Sequence, residues 1–341
     1  MARIVLPPGL LTNLEIWVSC VPDFETIDPQ AIQIGSPVLF LMNWILATLF
    51  SAFFLGLYDL CTKHAVRANA VTPVFFFSTL TGALVWGALL LTQMIHPGTL
   101  PASLVTDTLT WHQHLQIFLK SAIVAASWIG TYYALKHLPL SLGAPIRATS
   151  PLFSLFGAIL ILGERPSALE LAGVLTTLVS FVGLSVIGSR EGVHFHRDKW
   201  FWFLIAGTVL GAISALYDKY ILGTLKISVP TVQCWFSIYL VVIFTPFTLG
   251  WKLRLWPRNE FQWRWSVPLI ALTLLVADYA YFWALRQPES LVSIVMSLRR
   301  ANTLIAFGGG LLLFGEVNGW QKLPAVLGIL IGIVLTILGR P

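Results

Sequence analysis

The sequence predicts an all-α integral membrane protein of ten transmembrane helices, laid out as two inverted five-helix repeats. Three observations predict it. The 341 residues are 57% hydrophobic and only 11% charged, where an ordinary soluble domain is about a quarter charged, and the mean hydropathy is +0.80. Apolar runs of about 20 residues recur, each enough to cross a hydrocarbon core of about 30 Å as a helix. Short motifs also return in the second half at a nearly constant offset. This composition excludes a soluble enzyme and a charge-rich disordered chain, and three cysteines exclude a disulfide scaffold. The net charge of +6 belongs to loops facing headgroups and solvent, because no basic run suggests nucleic acid.

Residues 1–36 read as an N-terminal arm, in which Pro7, Pro8, Pro22 and Pro29 with Glu15, Asp23, Glu25 and Asp28 interrupt any apolar run. The arm lacks the basic start, unbroken apolar core and small-residue cleavage site of a signal peptide. The spans then fall at 38–61, 73–95, 117–136, 140–163, 168–188, 200–222, 229–250, 267–286, 289–314 and 321–339. All are apolar on every face, unlike the strictly alternating strands of a membrane barrel. Pro73, Pro139, Pro166, Pro230, Pro268 and Pro288 fall at or near predicted ends, where a missing N–H costs least. Trp200, Trp202, Trp251, Trp256, Trp263, Trp265 and Trp320 cluster at span edges as an aromatic belt.

The repeat divides the chain. Leu57-Tyr58-Asp59 returns as Leu216-Tyr217-Asp218, and Phe77-Ser78 as Phe236-Ser237, both 159 residues later. Ala134-Leu135-Lys136 matches Ala284-Leu285-Arg286 at an offset of 150, and Arg147 matches Arg299 at 152. At that last offset Leu162-Gly163-Glu164 matches Phe314-Gly315-Glu316. The predicted units are 37–189 and 200–341, joined by the loop 190–199. Five spans per unit is an odd number, so the second unit enters the bilayer from the opposite side.

A five-span unit that closes with an apolar helix ending in Gly-Glu, used twice, resembles the drug/metabolite transporter superfamily, specifically its ten-span EamA-type members. Ser150-Pro151-Leu152-Phe153 through Leu162-Gly163-Glu164 is similar to the family's proline-containing fourth helix with its terminal glutamate, and Gly315-Glu316 is the second copy. The resemblance runs from about Pro37 to the C-terminus. It implies two EamA-like repeats, transport without enzymatic activity, more often metabolite export than uptake, and both termini in the cytoplasm of a cell that carries the protein in a bacterial inner membrane. Arg147, Arg299 and Arg300 are unusual in helices that the family keeps apolar or weakly polar.

An ionisable side chain deep in a span costs about 2.5–3.5 kcal/mol on insertion scales, so each is a functional hypothesis. At about 1.5 Å per residue, Asp278 lies ~15 Å and Arg299 and Arg300 ~17 to 18 Å from the hairpin at Pro288, while Arg147 lies ~12 Å past Pro139. On this reading Arg147, Arg299 and Arg300 bind a substrate carboxylate or phosphate through bidentate hydrogen bonds, and Asp278 is a counter-charge or proton carrier. The plainer alternative is an Asp278–arginine pair that only locks spans eight and nine. Three arginines against one deep carboxylate favour a cavity holding an anion or water. Adjacent helical residues point about 100° apart, so Arg299, which carries the repeat match, is expected at the site and Arg300 as the partner of Asp278. Trp128, Tyr132, Tyr133, Tyr279 and Tyr281 would line the site or simply pack spans three and eight. Asp59 with Lys63, and Asp218 with Lys219, sit near predicted span ends as rim pairs or as gate and coupling elements. Glu164 and Glu316 are expected to cap a neighbouring helix or pair with Arg165 or Lys322.

His112-x-His114 and His194-x-His196 have metal-compatible spacing, but both fall in predicted loops without converging cysteines or carboxylates. No P-loop, dinucleotide fingerprint or catalytic triad order appears, so no metal, cofactor or catalytic residue is expected. Gly207-x-x-x-Gly211 and Gly328-x-x-x-Gly332 permit close helix approach, the latter also a homodimer through the last helix, and Gly308-Gly309-Gly310 could flex span nine. Loops after odd-numbered spans hold eleven Lys and Arg against seven on the other side, which would put both termini outside, opposite to the resemblance. The resulting expectation is a secondary active transporter of a small anionic or zwitterionic metabolite by alternating access, with the substrate and the lipid bilayer as partners and no nucleic acid. Other classes consistent with the sequence are a membrane-embedded enzyme, a lipid-carrier flippase and a sensor without transport.

Overall fold

The computed structural model describes residues 37–67, 69–137, 147, 149–187, 199–255, 260–305, 308 and 319–339. Ten α-helices and no strand occur among them. They are α1 (Pro37–Val66), α2 (Val71–Ile95), α3 (Trp111–His137), α4 (Ser150–Ile161), α5 (Ala168–Ile187), α6 (Lys199–Lys219), α7 (Val229–Lys252), α8 (Ser266–Arg286), α9 (Val292–Leu298) and α10 (Gly319–Leu338). The N-terminal unit, 1–40, enters the described residues only with the start of α1; the predicted arm lies outside them.

Five helical stretches are long and apolar enough to cross a membrane, namely Trp44–Val66, Val71–Ile95, Lys199–Thr224, Val229–Lys252 and Ser266–Arg286. Shorter apolar helices occur at Ser150–Ile161, Ala168–Ser180 and Leu323–Leu338. Several boundaries differ from expectation, among them the end of α1, which runs to Val66 rather than 61. α3 begins at Trp111 rather than 117, because Thr110 and Gln113 hydrogen-bond each other across the first turn and start the helix among polar residues. α6 continues into a π-helical turn, Tyr220–Thr224. Span nine is broken: α9 ends at Leu298, a 3₁₀ turn takes Arg299–Ala301, and helix resumes from Asn302. A short 3₁₀ interruption inside a helix is a common mark of a hinge or of a sequence under local strain.

Small residues set the closest packing. α5 lies on α10 so tightly that a Cβ on Gly173 would stand 2.5 Å from the Thr336 nitrogen, and one on Gly332 would stand 2.6 Å from the Thr177 nitrogen. Gly328 meets Ser180 in the same seam, so the glycine face of the last helix is used within the chain. Gly207 of α6 packs on Ser127 and Thr131 of α3, and Ser127 Oγ donates to the Gly207 carbonyl at 2.6 Å. α2 packs on α7 and α8, α3 on α6 and α7, and α4 on α6 and α9.

Two polar fasteners hold the ends of these helices. Gly163 adopts φ +66°, the left-handed conformation that glycine accepts without strain. That turn ends α4 and delivers Glu164 to the start of α9, where its carboxylate accepts from Val292 N at 2.5 Å, Ser293 N at 3.2 Å and Ser293 Oγ at 2.7 Å. The expected cap of a neighbouring helix is therefore found; Glu316, its repeat counterpart, lies outside the described residues. Lys219 Nζ, at the end of α6, donates to the carbonyls of Leu285, Gln287 and Ser290 at 2.8–2.9 Å and to Ser290 Oγ at 2.8 Å. It fastens the α8–α9 hairpin.

Candidate functional site

The charged residues of the bundle converge on one cavity of about 480 Å³, lined from α1 by Asp59, from α3 by Lys120 and Trp128, from α6 by Asp218, from α8 by Asp278 and Tyr281, and from the break after α9 by Arg299, Arg300 and Asn302, with Arg147. An adjoining opening of about 630 Å³ shares Asp59, Trp128, Arg147 and Arg300 and reaches Lys63. An apolar annex next to Trp128 and Asp278 is lined by Phe75, Leu240, Ile270 and Leu275.

Two ion pairs stand on the wall. Arg299 Nη2 lies 3.0 Å from Asp278 Oδ1, and the guanidinium packs 4.0 Å from the centroid of the Tyr281 ring. The expectation that Arg300 partners Asp278 is corrected: the 3₁₀ turn rotates Arg299 towards α8. Lys120 Nζ lies 2.6 Å from Asp218 Oδ1, and both side chains are almost fully buried. The Lys120 ammonium is bracketed by the rings of Phe236 and Phe282, at 4.2 and 4.8 Å. Tyr281 links the two pairs, since its hydroxyl donates to Asp218 Oδ2 at 3.3 Å while its ring carries Arg299. Across the cavity, Asn302 Nδ2 donates to Asp59 Oδ2 at 2.7 Å.

Asp59 and Asp218 are not rim residues. α1 runs to Val66 and α6 continues through its π turn to Thr224, which places both aspartates about 10 Å inside their helix ends. Asp218 is held by Lys120 rather than by its neighbour Lys219, whose ammonium faces the α8–α9 hairpin. Trp128 lines the cavity with its ring against those of Phe75 and Phe244, at 5.8 and 6.2 Å. Tyr279 leaves the predicted site: one residue from Asp278 it points about 100° away, and its hydroxyl donates to the Ser103 carbonyl at 2.6 Å. The side chains of Tyr132 and Tyr133 lie outside the described residues. His114 meets the Tyr239 hydroxyl at 2.8 Å and the edge of Trp235, while His194 and His196 lie outside. Among the described residues no three His, Cys, Asp or Glu side chains are grouped to hold a metal ion.

Sequence reasoning missed Lys120, Asn302, Phe236 and Phe282. A span begun at 117 puts Lys120 in its first turn, whereas the helix begins at Trp111 and puts Lys120 about 14 Å along it. The polar run His112-Gln113-His114-x-Gln116 was the available signal, because it marks an interfacial first turn that pushes Lys120 inward. The cavity thus holds four cations, Lys120, Arg147, Arg299 and Arg300, against three carboxylates, Asp59, Asp218 and Asp278.

An apolar helical bundle that keeps a charged cavity among its spans has the build of a multi-pass membrane transporter. Residues 42–186, the stretch of α1 to α5, match the model of the EamA-like transporter family. Members of the family are transporters, not enzymes. No curated protein matches the chain. One solved crystal structure, of a protein given no functional description, is similar with a TM-score of 0.64 at 15% identity, covering 86% of this chain and 98% of its own. At that identity the likeness is one of fold, and it extends past residues 42–186 into the second half.

Proposed function

We propose that this protein is a secondary active transporter that moves a small anionic or zwitterionic metabolite by alternating access, in the export direction, across a bacterial inner membrane. The observation that carries the reading is the charge balance of the cavity, with four cations against three carboxylates around about 480 Å³. That volume falls within the roughly 300–1,000 Å³ of small-molecule sites. A surplus of positive charge lining a cavity favours an anion as its complement. Asp278 is the counter-charge that holds Arg299 against Tyr281. Helices rather than strands fit an inner membrane, where spanning proteins are helical bundles.

The packing pattern supports two inverted repeats. If each helix is exchanged for the one five places on, the contacts α2·α7, α4·α9 and α5·α10 map onto themselves, and α3·α7 maps onto α2·α8. A cavity between such halves is where rocking would open each side in turn.

The test is a thermal-shift screen of the purified protein with anionic, zwitterionic and neutral metabolites, run in parallel on Arg299→Ala. A ligand at about 100 times its Kd stabilises by about 2.7 kcal/mol, so the expected result is an anion that raises the wild-type Tm by several degrees and leaves the variant unmoved. Neutral or lipid-like ligands stabilising both proteins equally would overturn the reading. Uptake into liposomes of the stabilising anion then distinguishes a transporter from a sensor.

A further inference from the structure

We infer that Lys120 and Asp218 form a site in the transport cavity that binds an anion together with a proton: a substrate carboxylate replaces Asp218 on the Lys120 ammonium, and Asp218 takes up a proton as it is displaced. The inference rests on the anionic-substrate reading above and names the residues that would couple that anion to a proton moving with it, so that export follows the anion's own outward gradient.

The geometry supplies an ammonium with room for a second oxygen. An ammonium carries three N–H donors. The Lys120 nitrogen lies 2.6 Å from Asp218 Oδ1, and its flanks face the rings of Phe236 and Phe282. Aromatic faces hold a cation by their quadrupole but offer no lone-pair acceptor of the usual kind. Both members of the pair line the cavity, so an anion there reaches the ammonium without a change of fold.

Charge then fixes the proton. The resting pair is neutral, and a second carboxylate beside one buried ammonium would leave a net negative charge in a site only a few per cent exposed. Protonation of Asp218 restores neutrality. Lys120–NH3⁺ with Asp218–COO⁻, plus RCOO⁻ and H⁺, becomes Lys120–NH3⁺ with RCOO⁻ and Asp218–COOH. One O–H bond forms, none breaks, and nothing is oxidised or reduced. Tyr281 suits both states: its hydroxyl donates to the ionised Asp218 at 3.3 Å, and its oxygen can accept from the neutral carboxyl.

The other groups facing Asp218 point the same way. α8 presents Asp278, whose negative charge disfavours a second unpaired carboxylate nearby, and the turn after α9 presents Arg299, which Asp278 already holds. Arg147, Arg300 and Asp59 lie on the same cavity. Among the described residues, α7 offers the uncharged Phe236, and α4, which packs on α6, carries no titratable side chain. Asp278 is the poorer exchanger, because its partner is a planar guanidinium stacked on Tyr281. The ligand class is a carboxylate on an apolar or aromatic skeleton, which Phe236, Phe282 and Trp128 would flank.

Benzoate is the probe, titrated into the full-length protein in weakly buffered detergent with a pH indicator. Wild type should take up one proton per benzoate bound, and because binding consumes a proton its apparent Kd should rise about tenfold per pH unit on the alkaline side. Asp218→Asn, with an amide in place of the neutral carboxyl, should bind benzoate with a pH-independent Kd and no proton uptake. The uncharged pair Lys120→Gln with Asp218→Asn should keep its Tm but bind at least about tenfold more weakly, and it carries the test if the single variant fails to fold. Benzoate binding without proton uptake, pH dependence surviving in Asp218→Asn, or undiminished affinity in the double variant would each overturn the exchange. So would failure of wild type to bind benzoate; the anionic-substrate reading itself is decided by the metabolite screen and can survive that result.

Discussion

Asp278 and Arg299 sit 3.0 Å apart with side chains 16% and 13% exposed, so each is partly withdrawn from water and depends on the other. Removing one member of such a pair leaves a charge without its complement, and Arg299→Ala should lower stability by about 1–3 kcal/mol, at the lower end of buried pairs because the cavity gives some hydration. A urea or thermal unfolding series checks it, with Arg299→Gln combined with Asp278→Asn recovering most of the loss. Asp278→Asn alone adds one net positive charge to the cavity wall. A unit charge about 10 Å away at an effective dielectric of about 20 is worth roughly 1.5 kcal/mol, so benzoate affinity should rise about tenfold while its pH dependence persists. The depth arithmetic made Asp278, Arg299 and Arg147 legible in the sequence, because a proline hairpin and a 1.5 Å rise fix depth. It did not make partners legible: Arg299 rather than Arg300 meets Asp278 because the helix tightens into 3₁₀ geometry at that residue. Asp218 was assigned the wrong lysine because residue 219 is adjacent in sequence whereas Lys120 is adjacent in space.

At the scale of elements, the Gly-Glu ending of α4 has a physical reading. Gly163 supplies the left-handed turn and Glu164 the carboxylate that caps α9. Gly163→Ala should cost about 1–2 kcal/mol through its φ of +66°, and Glu164→Ala about 1–2 kcal/mol through the lost cap. Thermal melts of both variants check this, and because both act on the α4–α9 joint their effects should be less than additive. The α5–α10 seam is less forgiving. Gly332→Val would drive side-chain atoms against the Thr177 nitrogen and the Gly173 carbonyl, and a loss of about 3 kcal/mol or failure to accumulate in the membrane is expected. Most helices could be read from hydropathy and proline punctuation, since apolar length is what a bilayer selects. The broken span nine could not, because Ser297-Leu298-Arg299-Arg300 has no glycine or proline to announce an interruption.

For the whole molecule, exchange at Lys120 and Asp218 conserves charge, so net transport of a monocarboxylate would carry no current. Uptake of benzoate into proteoliposomes should follow an imposed pH difference and ignore a potassium–valinomycin potential; potential-driven uptake would show that the charge count is wrong. Burying Lys120 also removes one cation from the side of the chain that carries both termini, which widens the loop asymmetry towards termini outside. Accessibility of a C-terminal tag in intact cells would decide the orientation.

The fastening of Lys219 bears on how the chain is made. Its ammonium relies on oxygens of Leu285, Gln287 and Ser290, 66 to 71 residues downstream. Synthesis runs from α6 to α8, so when this lysine leaves the ribosome its acceptors have yet to reach the membrane. The second half therefore settles only after the α8–α9 hairpin emerges, and nascent chains arrested before Ser290 would present that lysine to the membrane's quality-control proteases as the mark of an unfinished protein.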